Sequence, residues 1–224
     1  MFIHVHSHNQ EKPPGRIRQR NEKKIIAAAE IEFAQHGFKG ASIQNIAKRA
    51  GLPKANVHYY FSSKLELYGE ILAGILELWD GALSELKAED DPATALHAYI
   101  CSKIEFSRHH PLASRIFSME IMSGGEHLQE YYRSGYVEWF RERTAVFQAW
   151  IDQGKMTPVD PAHLMFLLWS STQHYADFST QIQAALGNNR KQLTRQDYED
   201  AARTLSQVIL TGCGIHRAPD PPVA

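Results

Sequence analysis

Apolar side chains recur along this chain at intervals of three and four, and no stretch alternates apolar and polar residues in the two-residue rhythm of a half-buried strand. Ile25/Ile26, Ala29 and Phe33 share one helical face, and Gly37 follows where a left-handed residue closes a helix, which predicts a first helix over 22–36. Ser42 is a good N-cap for a short helix to Ala50 bearing Ile43, Ile46 and Ala47, stopped by Gly51. After the Gly51-Leu52-Pro53 turn a third short helix holds Lys54 to Tyr60. A fourth starts near Ser63 and carries Leu67, Ile71, Ile75/Leu76 and Trp79, ending before the acidic break Glu89-Asp90-Asp91-Pro92. Further helices are predicted near 93–109, 112–122, 126–153, 161–186 and 195–213, with breaks at His110-Pro111, Gly124-Gly125, Gly154 to Pro161 and Gly187-Asn188-Asn189. The fold class is therefore all-α, with about nine helices. Residues 1–20 show no apolar period and read as a disordered arm; 21–66 form a small bundle and 67–224 a larger one.

Charge sharpens this division. Residues 1–64 carry 11 Lys and Arg against four Glu, a net of +7, whereas the remainder carries 13 against 21, a net of −8. A basic segment on an acidic body predicts a polyanionic partner met by one end of the molecule. No apolar run approaches the length of a membrane span and the amino end shows no signal-peptide pattern, so the expected compartment is the cytoplasm. Cys101 and Cys213 are too few for a disulfide framework and read as small hydrophobes with free thiols. His4, His6 and His8 alternate in the arm, where a chance cluster is the better reading than a metal site.

Two short helices joined by a glycine-containing turn have the dimensions of a helix-turn-helix, whose second helix enters the major groove. Ile43, Ile46, Ala47, Val57 and Phe61 are its expected core. Lys54, Asn56 and His58 project polar tips that suit base edges, while Ser42 and Gln44 open the first motif helix near backbone or base.

The run from Ala27 to Phe38, Ser42-Ile43-Gln44-Asn45-Ile46-Ala47, Ala50-Gly51, and His58-Tyr59-Tyr60-Phe61 with Ser63-Lys64 resembles the TetR family of transcriptional regulators. The likeness implies a helix-turn-helix DNA-binding domain over 21–66, with Tyr60 and Lys64 at positions that grip phosphate. Pro53 stands where the family usually has a hydroxyl cap; proline is tolerated at a helix start, whose N–H has no helical partner.

In the larger bundle, Leu164 to Trp169 is apolar all round and predicts burial on several faces. Ser170-Ser171-Thr172-Gln173-His174 then continues the helix with polar groups that need partners from protein, water or ligand. Trp169 and Gln173 share a face, pairing a flat aromatic with an amide that both donates and accepts, which suits a small planar ligand. Residues 113–120 and 169–178 resemble the TetR subgroup that represses pyrimidine utilisation and senses uracil or thymine. That resemblance implies a ligand-sensing and dimerisation domain over 67–224, its pocket between the fourth, sixth and eighth predicted helices. Trp79 comes from the fourth; Trp169 would stack, Gln173 meet the base edge, Arg115 donate to a carbonyl, and Tyr175 either pack or touch ligand.

The last helix carries an apolar stripe of Tyr198, Ala201/Ala202, Leu205 and Val208/Ile209. Tyr198, Ala202, Leu205 and Ile209 are expected to close a homodimer with the preceding helix, and two-fold symmetry predicts a palindromic double-stranded operator. No H-E-x-x-H, P-loop, G-x-G-x-x-G or G-x-S-x-G motif is present, so no catalytic residue, metal ligand or cofactor is expected. The expected function is a repressor released by a small planar effector. The alternatives are a repressor of the same fold sensing an acyl or other apolar molecule, and an architectural DNA-binding protein without an effector.

Overall fold

The computed structural model describes residues 15–187 and 192–215. Among them the chain forms eleven α-helices and one 3-10 turn, with no strand. In order these are α1 (Arg16–Gly40), α2 (Ile43–Ala50), α3 (Lys54–Tyr60), α4 (Lys64–Ser84), α5 (Pro92–His109), α6 (Pro111–Met122), the 3-10 turn Glu126–Leu128, α7 (Gln129–Arg133), α8 (Tyr136–Asp152), α9 (Pro161–Asp177), α10 (Ser179–Leu186) and α11 (Arg195–Gly212). Arg16 to Arg20, assigned to the arm from sequence, form the first turns of α1, while His4, His6 and His8 lie outside the described residues. Gly37 does break α1, at φ 65° and ψ 178°.

The count exceeds nine because two long periodic stretches are interrupted. Gly135, at φ 103°, separates α7 from α8, and Phe178, at φ −112°, separates α9 from α10. Interruptions of one or two residues barely disturb apolar spacing, so periodicity does not reveal them. Starts are better marked. Asp91 accepts the N–H of Thr94, Asp160 accepts those of Ala162 and His163, and each precedes a proline at the first helical position.

The helices gather into two compact units, one running to Leu78 and including Leu112–Tyr136, the other made of Trp79–Pro111 and Val137 onward. The boundary placed between residues 66 and 67 from sequence falls inside α4, which contributes to both units. In the first unit Ile25, Phe33, Ile46, Val57, Leu67 and Tyr68 form a core with Ile116 of α6. In the second, α5 packs against α9 and α11 around Leu96, Ile100, Phe147, Trp150, Met165 and Leu168.

Two burial expectations are corrected. The stretch Leu164 to Trp169 is buried on one face and not on several: Leu164, Met165 and Leu168 are buried, whereas Phe166 and Leu167 are 47% and 51% exposed. On α11 the stripe faces the unit's own core. Tyr198, Ala202 and Ile209 are buried and Leu205, half-buried, packs against the same core, while Val208 faces outward at 63% exposure. One apolar stripe satisfies an intrachain core as well as an interface, and only packing tells them apart.

Candidate nucleic-acid interface and effector site

The first unit presents a helix-turn-helix. Ser42 caps α2 by accepting the Asn45 N–H at 3.1 Å, and Gly51 closes it in the left-handed region at φ 67° and ψ 33°. Pro53 leads into α3 with no side-chain cap, at φ −59°. Val57 is fully buried and Phe61 nearly so, which anchors the inner face of α3. Its outer face then carries Lys54 and His58 in full exposure and Asn56 half-buried, with Gln44 exposed on α2 and Ser42 half-buried at its cap. Tyr59, which the sequence reading passed over although it sits between His58 and Tyr60, is 73% exposed and meets the Tyr60 ring edge-on at 5.3 Å. The Tyr60 hydroxyl accepts a hydrogen bond from the Asn21 amide at 3.4 Å. Arg16, Gln19, Arg20, Lys23 and Lys24 line one shallow depression on α1, so basic charges read as tail from sequence are set on a rigid helix.

Two charged residues hold this reader together. Glu32, 2% exposed, accepts from the Asn45 amide at 2.9 Å and the Ser42 N–H at 3.4 Å, and Arg49 stands 3.9 Å away. The carboxylate therefore clamps the start of α2 to α1. Nothing in periodicity marks it, since Glu30 and Glu32 both interrupt this apolar stretch and only packing tells them apart. Lys64, expected at phosphate, is also engaged within the chain: its ammonium donates to the Phe38 carbonyl at 2.7 Å and the Ala41 carbonyl at 3.0 Å, and lies 4.6 Å from the centre of the Phe38 ring. These carbonyls end α1 and lack helical donors, so they compete with phosphate for the same cation.

Beside them, Glu120 of α6 is 4% exposed and accepts from the Tyr68 hydroxyl at 3.0 Å, the His127 N–H at 2.8 Å and His127 Nδ1 at 3.1 Å. Burial, and then the Glu120 carboxylate, push the Tyr68 phenol far above its ordinary range. A cavity of about 220 Å³ opens here, lined by His36, Phe38, Tyr68, Met119, Glu120 and His127 among others.

The effector candidates divide between the units. Arg115 belongs to the first and is exposed; Trp79, Trp169, Gln173 and Tyr175 belong to the second and are half-buried. The Trp169 indole N–H donates to the Tyr99 hydroxyl at 3.2 Å, and its ring lies near Trp139 and Phe140, at 6.5 Å and 5.8 Å between centres. The polar run after it mostly satisfies itself. Ser170 and Ser171 donate to the Leu167 carbonyl and Thr172 to the Leu168 carbonyl, the usual back-bonding of helical hydroxyls. Gln173 and His174 differ: neither side chain makes a hydrogen bond among the described residues, but the His174 ring is exposed and stacks on Phe178, whereas the Gln173 amide is half-buried. Tyr175 stands 6.5 Å from Tyr198 between ring centres, a packing position.

Sequence reasoning missed the residue with the most perturbed environment in this unit. Lys103 of α5 is 4% exposed, and its ammonium lies 4.6 Å from the Trp79 ring centre and 5.6 Å from that of Phe106. Burial pulls its pKa down to about 8, against an opposing pull from the Asp177 charge. The available signal was a lysine between apolar neighbours on a buried face, four residues after Tyr99. Among the described residues no group of three or more His, Cys, Asp or Glu is placed to hold a metal, and no helix is long and apolar enough to cross a membrane.

A helix-turn-helix braced by a preceding helix, continued by α4 into a second helical unit, defines the class of helix-turn-helix DNA-binding regulators. Residues 25–71 match the family model of bacterial regulatory proteins of the tetR family, and 72–216 match that of the YcdC-like protein C-terminal region. The chain is 40% identical over 166 residues to the HTH-type transcriptional regulator RutR of Escherichia coli K12, covering 74% of this chain and 78% of RutR. It is 30% identical over 148 residues to the HTH-type transcriptional repressor SCO4008 of Streptomyces coelicolor, covering 65% and 72%. Among solved structures, the ketosteroid regulator KstR2 of Mycobacterium tuberculosis matches with a TM-score of 0.67 at 17% identity, covering 89% of this chain and 96% of that one. The fatty acid degradation regulator FadR of Bacillus halodurans matches at 0.64 and 15%, covering 92% and 100%. At such identities these two show the fold alone. The chain belongs to the TetR family of bacterial transcriptional regulators. It is a DNA-binding regulator of the ligand-responsive kind, and family members bind DNA and small-molecule effectors, usually as dimers.

Proposed function

We propose that this protein is a homodimeric cytoplasmic repressor, without catalytic function, released from a palindromic operator by a pyrimidine base. The carrying observation is Gln173: after the hydroxyls beside it bond back to their own helix, its amide is left to meet a ligand on the face it shares with Trp169. An amide that donates and accepts suits the adjacent carbonyl and N–H groups of uracil or thymine, and the aromatic group around Trp169 suits a flat ring. The likeness of residues 113–120 and 169–178 to the pyrimidine-utilisation repressors, with the 40% identity to RutR, supports the same reading. Trp79 and Tyr175 complete the contact set within this unit.

On DNA, Lys54, Asn56 and His58 read base edges, while Ser42, Gln44, Tyr60 and Lys64 hold the backbone; Lys64 does so with the donor capacity left over from its two carbonyls. The dimer forms through the outward faces of α9 and α11, where Phe166, Leu167 and Val208 are exposed, instead of through the Tyr198 stripe. Because α4 runs through both units, an effector that favours a different setting of its far end changes the spacing of the two readers, roughly 34–36 Å on a half-site pair. A tenfold loss of DNA affinity needs about 1.4 kcal/mol of differential effector binding.

The test is release from a duplex selected by the protein from a random library, titrated with uracil and thymine, with acyl-CoA and a long-chain fatty acid as controls. Release by pyrimidines alone supports the assignment. Release only by acyl compounds replaces it with an apolar effector, and no release by any of them removes the sensor reading.

A further inference from the structure

Most of the buried charge in the described residues is answered at short range: Glu32 by Asn45 and Ser42, Glu120 by Tyr68 and His127. Lys103 differs. It is as buried as they are, yet among the described residues no hydrogen-bond acceptor reaches its ammonium, which is held by the Trp79 and Phe106 ring faces and, at longer range, by the Asp177 charge. Ring faces offset part of the desolvation of an ammonium, but they leave its three N–H groups without acceptors.

The place of this cation is defined by its helix. Tyr99, Lys103 and Ser107 follow at steps of four along α5, hence on one face. Tyr99 meets the Trp169 indole through its hydroxyl at 3.2 Å, and the Ser107 hydroxyl donates to the Thr172 carbonyl at 2.9 Å. Lys103 therefore lies between two contacts of α5 with α9, feels the Asp177 charge of that helix, and Gln173 stands one turn before Asp177 on it. A donor-only cation, a donor-and-acceptor amide and the Trp79, Phe106 and Trp169 rings gather in one unit.

We propose that Lys103 is the effector-reading cation of this regulator, donating to an oxygen acceptor on a planar effector whose adjacent edge is met by Gln173. The inference rests on the sensor reading above and deepens it, because it specifies the effector's chemistry: an electron-rich carbonyl or oxyanion is required, and a ligand that presents only N–H or C–H there leaves the buried ammonium unanswered. Pyrimidine-diones meet the requirement, as do planar oxyanions such as aryl carboxylates; saturated chains without an oxygen do not.

The experiment measures binding by calorimetry to the full chain and to Lys103→Met, which keeps the volume and removes the donor. The probes are uracil, 2-pyrimidinone and 4-pyrimidinone, each of the latter lacking one of uracil's two oxygens, together with benzoate. The wild type should bind uracil at least tenfold more tightly than one of the two pyrimidinones. Lys103→Met should weaken uracil at least tenfold and bind uracil and that pyrimidinone within threefold of each other, a coupling that loosened packing would not produce. Unchanged uracil affinity in Lys103→Met overturns the inference and leaves the pyrimidine reading standing. Benzoate binding that depends on Lys103, without pyrimidine binding, upholds the inference and removes the pyrimidine reading. Failure of the wild type to bind any of the four overturns both. If Lys103→Met does not fold, the wild-type series decides alone, and equal affinity for uracil and both pyrimidinones overturns the inference.

Discussion

A buried ammonium held mainly by aromatic faces destabilises the protein that carries it, and the pH dependence of that cost is specific. Lys103 titrates near 8 in the folded chain and near its ordinary 10.5 when unfolded. Below pH 8 it is protonated in both states, and the depressed pKa represents a cost of about 3 kcal/mol to folding. Between pH 8 and 10.5 the unfolded chain keeps a proton that the folded chain has lost, so stability rises with pH until the cost is gone. Lys103→Met has no proton to lose. It forfeits the ring contacts of the ammonium, roughly 1–2 kcal/mol, so at pH 7 it should be more stable than the wild type by about 1–2 kcal/mol. Urea unfolding of both proteins at half-unit steps from pH 7 to 9.5 measures this. The advantage of the variant should shrink as pH rises through 8 and vanish or reverse by 9.5. Burial raises the Cys213 thiol and the Tyr68 and Tyr99 phenols, which weakens both proteins at alkaline pH, but these groups are common to the pair and cancel in the difference. A variant less stable than the wild type at pH 7, or an advantage that stays constant with pH, would show that the Lys103 charge carries no such folding cost.

Four further outcomes are expected. Lys54→Ala or His58→Ala should change the preference among operator sequences in a selection experiment, since both side chains are exposed on α3; equal loss on operator and random DNA would show that they do not read bases. Lys64→Ala should lower the melting temperature, because two carbonyls lose their donor at roughly 1–3 kcal/mol, and should also flatten the salt dependence of binding; an unchanged melting temperature contradicts the inward role. Leu167→Glu, on an exposed face of α9, should give a folded monomer by light scattering with weak operator binding, whereas Leu205→Glu, against the core, should unfold; a dimer that survives Leu167→Glu rules out that face. Gln173→Ala should cost roughly 1–3 kcal/mol of effector affinity with operator affinity intact, read by titrated release; normal release would remove Gln173 from the effector site.

The all-helical class, the helix-turn-helix and its inner and outer faces are legible in the linear pattern, because each depends on neighbours three or four residues apart and on local turn chemistry. Ser42, Gly37 and Gly51 do in the structure what their types require, and Val57 and Phe61 are buried while Lys54 and His58 are not. Tertiary structure alone decided which apolar stripe becomes core and which remains outside. The Tyr198, Ala202 and Ile209 row turned inward, and Phe166, Leu167 and Val208 turned outward, because an apolar surface is satisfied by whichever partner the chain brings to it. It alone also set the fate of the buried charges. Glu32, Lys64 and Glu120 found partners 7 to 52 residues away, and Lys103 found one ring on its own helix, Phe106, and one on α4, Trp79. Burial and pairing of a charge depend on distances between segments, and a linear pattern holds none of those distances.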